Sequence, residues 1–191
     1  MNIEAETRST LKVLEEGGTI LYPTDTIWGI GCDATNPAAV EKIFAVKKRG
    51  AEKSLIILLD EVAKLKNYVA HVPKEALALI ETTERPLTVI YPSANKQILA
   101  NNILAEDGSI GIRVTKDPFC KRIINESGKP LVSTSANMSG ETPPRSFSEI
   151  SEEIKKAVDY VVQYRLDENS AALPSVIIRI GNKGEIEFIR K

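Results

Sequence analysis

The sequence predicts an α/β fold in which helices are layered on one mixed parallel/antiparallel sheet. Apolar runs of strand length alternate with amphipathic segments along the whole chain, as expected for helices packed on a sheet. A hairpin-like stretch around Gly181 and Gly184 closes the sequence and adds antiparallel pairing, which makes the sheet mixed. At 191 residues the chain can bury one core without disulfides, so a single domain over residues 1–191 is expected.

Taken in order, residues 4–16 place apolar Leu11 and Leu14 among charges, the pattern of a helix stopped by Gly17 and Gly18. Residues 19–22 form a short buried strand running into Pro23. Asn36 has the chemistry of an N-cap, with Pro37 at the first helical position, and Val40, Ile43, Phe44 and Val46 share one face of the following helix. That helix runs out in Lys47-Lys48-Arg49-Gly50. Residues 54–59 are a continuous apolar run of strand length, followed by helical segments over 62–68 and 73–82. Further strands are predicted over 87–91, 110–114, 130–133, 160–162 and 176–180, with helices over 118–126 and 147–158.

Composition narrows the function. The formal net charge is -1 and the pI about 6.0, so the whole molecule has no electrostatic bias toward nucleic acid or membrane, and any anion must be held by a local cluster. Cys32 and Cys120 are far apart, lack metal-ligand spacing and read as reduced thiols. The N-terminus has no basic region followed by an apolar one, and no apolar run reaches bilayer-spanning length; a cytoplasmic location away from membrane is expected.

Several catalytic arrangements are excluded. His71 is the single histidine, so a histidine-rich metal site cannot form, and no nucleophile elbow accompanies it; a loop or half-buried position suits it better. There is no phosphate loop ending in Gly-Lys-Ser/Thr. Gly29-Ile30-Gly31 lacks the third glycine of a dinucleotide fingerprint and marks a turn or close backbone packing.

Anion-holding donors remain. Lys47 and Arg49 end a helix, where the ordinary reading is a favourable interaction with the helix dipole and the functional one is a fork and a point charge on phosphate or carboxylate. Ser133-Thr134-Ser135-Ala136-Asn137-Met138-Ser139-Gly140 follows a strand and carries more hydroxyls than a turn requires, at a strand end where ligands sit in such sheets. Trp28, the sole tryptophan, lies among Thr24, Thr26 and Gly29, either as core or as the wall of a pocket for a planar ligand. Arg113 interrupts an apolar strand, and the residue pattern by itself favours the solvent face.

Together and in this order, these segments resemble the YrdC-like family of threonylcarbamoyl-adenylate synthases, in its short single-domain form. Pro23-Thr24-Asp25-Thr26-Ile27-Trp28-Gly29-Ile30-Gly31 is similar to the family's opening motif, Lys47-Lys48-Arg49 to its K-x-R signature and Pro86-Leu87-Thr88 to its P-L-T strand. Gly111-Ile112-Arg113-Val114 is similar to its G-x-R strand, and Ser135-Ala136-Asn137-Met138-Ser139-Gly140 to its S-x-N turn. The resemblance covers nearly the whole chain and implies a twisted sheet with a concave ligand cleft.

It also implies a reaction in which L-threonine, bicarbonate and ATP give threonylcarbamoyl-adenylate and pyrophosphate. Such a step needs positioning and charge neutralisation more than an acid or base. By the same resemblance, Lys47 and Arg49 hold phosphate and carbamate oxygens, while Ser135 and Asn137 orient the threonyl-carbamate and the nucleotide. Arg113 pairs with the threonine carboxylate, and Thr26 and Trp28 line the substrate site. Lys53, Ser109 and Ser175 match further ligand-contacting positions. Mg2+ enters on the triphosphate, with no protein metal cage. The product passes to a tRNA threonylcarbamoyl transferase complex that modifies adenosine 37, and a weak contact with tRNA or other RNA is implied as well.

The chain departs from the family pattern at Arg85 before Pro86, at Arg145, and at Val176 and Arg179 after Ser175. Arg145 offers a charged contact to phosphate where the family has a neutral one. Two alternatives share the fold: a YciO-like nucleotide- or RNA-binding paralogue without synthase activity, and an RNA-binding translation factor using a basic surface. The intact K-x-R and S-x-N signatures weigh against the first and the net charge against the second.

Overall fold

A computed structural model describes residues 2–48, 55–168 and 173–191. Helix α1 (Ile3–Glu15) begins where the Asn2 side chain accepts the Glu4 N–H at 2.9 Å, and it stops at Gly17, whose φ of 73° glycine adopts without steric penalty. Strand β1 (Ile20–Tyr22) then pairs antiparallel with β2 (Gly29–Gly31).

The second of these strands escapes the sequence pattern, since two glycines in three residues offer no apolar alternation. Close packing explains the glycines. A Cβ on Gly31 would stand 2.3 Å from the Val132 carbonyl oxygen and 2.8 Å from the Tyr22 ring.

Helix α2 (Pro37–Lys47) has the cap its sequence predicts, with Asn36 Oδ1 accepting the N–H groups of Ala38 and Ala39 at 3.0 and 3.2 Å. It ends at Lys48 in the left-handed region, φ 47°. Strand β3 (Ile56–Leu59) follows, then a 3-10 turn over Val62–Lys64, the short α3 (Leu65–Tyr68) and α4 (Lys74–Thr82). Strands β4 (Leu87–Tyr91) and β5 (Ile110–Val114) coincide with the predicted runs. Helix α5 (Pro118–Ser127) is capped by Asp117 on the Cys120 N–H at 2.9 Å.

Strand β6 (Leu131–Ser135) is longer than expected, because Thr134 and Ser135 continue the ladder against Ile30 and Gly29. The single helix expected over 147–158 is broken. A 3-10 turn over Phe147–Glu149 is followed by extended Ser151, which caps α6 (Glu152–Ala157) through the Ile154 N–H. Strands β7 (Tyr160–Val161), β8 (Val176–Ile180) and β9 (Ile186–Arg190) complete the described elements. The last two form the anticipated hairpin, with Gly184 at φ 87°.

Among the described residues the nine strands run in the order β7-β1-β2-β6-β3-β5-β4-β8-β9. The β1/β7, β3/β5 and β4/β8 pairs are parallel and the other neighbours antiparallel, the mixed sheet expected. Alternation along the strands divides the core. Leu21, Ile57, Leu59 and Val132 join Val40, Ile43 and Phe44 of α2 on one face, while Ile20, Tyr22, Leu58 and Leu131 join Leu14 of α1 and Phe119 and Ile123 of α5 on the other. Each such side chain, fully buried, contributes roughly 1.5–3 kcal/mol over exposure. Cys32 and Cys120 are buried free thiols, as expected, and His71 is an exposed loop residue.

The α1/α5 face is covered along only part of its width. Beyond these helices, cross-strand neighbours put Gly29 beside Ser135, Ser133 beside Ile56 and Ile56 beside Gly111 on that face. Arg113, Thr88, Ile177 and Arg190 continue the row. A polar, partly glycine floor of this kind leaves room above the sheet.

Candidate active site

That floor lines a cleft of about 230 Å3, bounded by Thr26, Trp28, Gly29, Ile56, Arg113, Ser133, Ser135, Ser175 and Arg190, with Pro143 and Pro174 at its edge. Five residues singled out from sequence therefore meet around one space: Thr26, Trp28, Arg113, Ser135 and Ser175. Trp28 is 5% exposed; its ring packs on Phe147 with centroids 5.0 Å apart, and the residue also lines the cleft.

Arg113 is the clearest correction to the residue pattern. Instead of facing solvent it is 3% exposed. One guanidinium nitrogen, Nη1, donates to Thr26 Oγ1 at 3.0 Å, and Nη2 lies 3.4 Å from Asp25 Oδ1. Its Nε is buried without a hydrogen-bond partner. An unmet donor on a buried cation costs on the order of 1–3 kcal/mol, which a bound carboxylate or phosphate would recover. Asp25 is held in turn by Thr115 Oγ1 and the Lys116 N–H, each donating to Oδ2 at 3.0 Å.

Arg190 is a site residue that sequence reasoning misses. It reaches back from β9 to donate through Nε and Nη2 to the Ser175 carbonyl at 3.0 and 2.9 Å. Burial, reinforced by the charge of Arg113, pushes its guanidinium below the ordinary arginine range. Two cations sharing a partly dry cleft repel each other until an anion joins them. The Ser175 hydroxyl is fixed at 2.8 Å from that of Thr88, which is wholly buried.

The S-x-N turn carries a second cluster, in which Ser135 lines the cleft and Lys47 and Asn137 do not. Lys47 is 2% exposed, so solvated dipole capping does not describe it; its Nζ donates to the Ser135 carbonyl at 2.5 Å. The same carbonyl accepts the Asn137 N–H at 2.9 Å. Asn137 Nδ2 ties the turn through the Met138 and Glu141 carbonyls at 2.9 and 2.7 Å, leaving Oδ1 buried with no hydrogen-bond partner. That oxygen can accept only from a donor brought by a ligand or a local rearrangement.

Other expected residues lie elsewhere. Ser109, buried at the start of β5, donates its N–H to Asp107 at 2.9 Å and does not line the cleft. Arg145 is exposed, its N–H on Glu149 at 2.8 Å, and does not line the cleft either. Arg49 and Lys53 lie outside the described residues. Among the described residues no group of three His, Cys, Asp or Glu is placed to hold a metal ion.

Comparisons with known proteins bear on the family and the fold. The Sua5/YciO/YrdC family model, described as "Telomere recombination", matches residues 12–191. The threonylcarbamoyl-AMP synthase of Pseudoalteromonas translucida is 34% identical over 180 residues, covering 93% of this chain and 94% of that protein. A structure of P. abyssi Sua5 superposes with a TM-score of 0.84 at 24% identity, over 96% of this chain and 52% of that one, so this chain spans about half of that protein. E. coli YciO superposes with a TM-score of 0.83 at 21% identity, over 100% of this chain and 90% of that one. At these identities the two structures establish the fold alone.

Proposed function

The chain belongs to the Sua5/YciO/YrdC family, and from that premise we propose that it is a threonylcarbamoyl-AMP synthase acting on L-threonine, bicarbonate and ATP. The observation that carries the reading is the pair of guanidiniums, Arg113 buried and Arg190 exposed but partly desolvated, facing one hydroxyl-lined cleft. Such a cleft suits a substrate with two anionic ends, here a carboxylate and a phosphate.

In this reading the threonine amine adds to bicarbonate with loss of water, giving a carbamate. A carbamate oxygen attacks the α-phosphorus in line, and the bond from that phosphorus to the bridging oxygen breaks to release pyrophosphate. Arg113 takes the threonine carboxylate on its unmet Nε, with the Thr26 hydroxyl beside it. Ser135, Ser175 and Arg190 orient the carbamate and the nucleotide. Lys47 and Asn137 set the Ser135 turn and supply charge and an acceptor to the same region. From the sequence signature, Arg49 and Lys53 extend the cationic set, while Ser109 and Arg145, which do not line the cleft, keep a ligand-contacting role on that signature alone. Catalysis is then charge neutralisation and alignment, with no side chain required as a covalent nucleophile.

The site suits magnesium carried on the triphosphate. Asp25, the carboxylate beside Arg113, is occupied by Arg113, Thr115 and Lys116, so phosphate oxygens and water are better ligands than the protein here. The proposal extends to one domain over residues 1–191, a cytoplasmic setting, and delivery of the adenylate to a transferase complex that modifies adenosine 37 of tRNA, with weak RNA contact. No helix among the described residues is long and apolar enough to cross a membrane.

Pyrophosphate release tests the reading directly: it should require L-threonine, bicarbonate and ATP together. Release without threonine, or salt-sensitive tRNA binding with no turnover, would favour the YciO-like or RNA-binding alternative.

A further inference from the structure

Arg165 lies outside the cleft and in no motif, yet it has an unusual backbone. Its φ of 61° places a long, branched cation in the left-handed region that glycine normally occupies. A residue stays there when its surroundings over-determine it. The surroundings are polar: Nη1 donates to Asp117 Oδ2 at 2.5 Å, Nε to Glu168, and Nη2 reaches the Thr24 carbonyl at 3.5 Å. The Asp117 side chain is 3% exposed, and its other oxygen caps α5.

Followed outward, these contacts close on themselves. Asp117 donates its N–H to Thr115 Oγ1 at 3.1 Å, Thr115 Oγ1 donates to Asp25, and Asp25 faces Arg113. Arg113 donates to Thr26 Oγ1, which is 2.9 Å from Thr24 Oγ1, and the Thr24 carbonyl returns to Arg165. The ring therefore runs through both groups assigned to the threonine end of the substrate. Without Arg165 the buried Asp117 carboxylate keeps only its cap, and the Thr24 carbonyl loses the cation that faces it.

We propose that Arg165 is a positioning residue for the threonine subsite, closing a ring of polar contacts that fixes where Thr26 Oγ1 and the Arg113 guanidinium stand. The inference rests on the synthase reading above. The polar partners of Arg165 are Asp117, Glu168 and the Thr24 carbonyl, none of which lines the cleft, so its effect belongs to the affinity of one substrate and not to the chemical step.

The test is the steady-state KM for each substrate, with Tm recorded alongside, in wild type, Arg165→Gly and Arg165→Lys. Glycine removes the contacts and suits the backbone, so the fold is expected to survive. The threonine KM should rise about tenfold in Arg165→Gly, the size expected for loss of charge-assisted hydrogen bonds, while kcat and the ATP KM stay within about twofold. Lysine keeps one charge without the planar fork, so about a threefold rise is expected there, a value that also decides the matter should the glycine variant fail to fold. An unchanged threonine KM in the folded variants overturns the proposal alone. So does an equal rise in both KM values with a falling Tm, the signature of a merely structural role. Wild-type pyrophosphate release that ignores threonine overturns this proposal and the synthase reading together.

Discussion

Lys47 and Ser135 meet at a single main-chain carbonyl, 2.5 Å from the ammonium, which joins the end of helix α2 to the end of strand β6. A buried lysine used in this way sets the turn that holds Asn137. Lys47→Ala should leave that carbonyl with the Asn137 N–H alone, lowering stability by about 2 kcal/mol and turnover by about a hundredfold. Urea unfolding and pyrophosphate release measure the two effects separately, and full turnover in a folded variant would remove Lys47 from the site.

Arg113→Lys should fail to restore what Arg113→Ala loses. The fork serves Thr26, Asp25 and a ligand at once, which one ammonium cannot do. In Arg113→Ala the Asp25 carboxylate loses its buried partner, at a cost of about 3 kcal/mol. Both variants should bind threonine at least tenfold more weakly by calorimetry. Wild-type affinity in the lysine variant would show that charge alone matters.

Legibility in the sequence followed periodicity. Strand β4 was readable because five apolar or β-branched residues in a row leave few alternatives, β5 because Ile110, Ile112 and Val114 alternate along it, and α2 because Asn36 and Pro37 announce it. Strand β2 was hidden because its glycines answer to the Tyr22 ring across the β1/β2 pair and to strand β6, Gly31 to the Val132 carbonyl, which is distant in sequence. Arg113 looked like a surface charge because its partner, Asp25, arrives through tertiary contact. Arg190 carried no signal: in Ile186–Arg190 a terminal arginine is ordinary, and only the β8/β9 register turns it toward Ser175. The S-x-N turn was legible as a site but not as a continuation of β6.

Gly31→Ala follows from the same hidden strand. The added methyl would meet the Val132 carbonyl at 2.3 Å, and backbone cannot retreat as a flexible side chain can. A loss of about 3 kcal/mol is expected, seen as a lower urea midpoint at unchanged slope. Wild-type stability would mean that β2 and β6 are not so closely packed.

Acid stability should show a contribution from Asp107. Hydrogen bonds from the Ser109 side chain and N–H, then from Arg179, lower its carboxyl from 3.8 to about 2. A depressed folded-state value adds stability that is fully present above the unfolded value and fades as pH falls from about 4 toward 2. Asp107→Asn should flatten the stability curve across that window and leave it unchanged at neutral pH apart from a constant offset. The group is largely exposed, so the effect is small and best read at low salt.

The two thiols make a convenient reporter. Burial raises both Cys32 and Cys120 above the usual thiol range, and neither side chain reaches solvent. A disulfide reagent at pH 8 should label neither in the native protein and both in urea. Rapid native labelling of either would contradict its burial.

The floor of the cleft takes Gly29 from β2, Ile56 from β3, Ser133 from β6 and Arg190 from β9, strands that adjoin in space but are scattered along the polypeptide. Recognition therefore cannot be acquired piecemeal as the chain emerges from the ribosome. Loop closure on this scale slows folding toward the millisecond-to-second range of high-contact-order proteins. The full lining of the cleft exists only once β9 has paired with β8 and brought Arg190 to it.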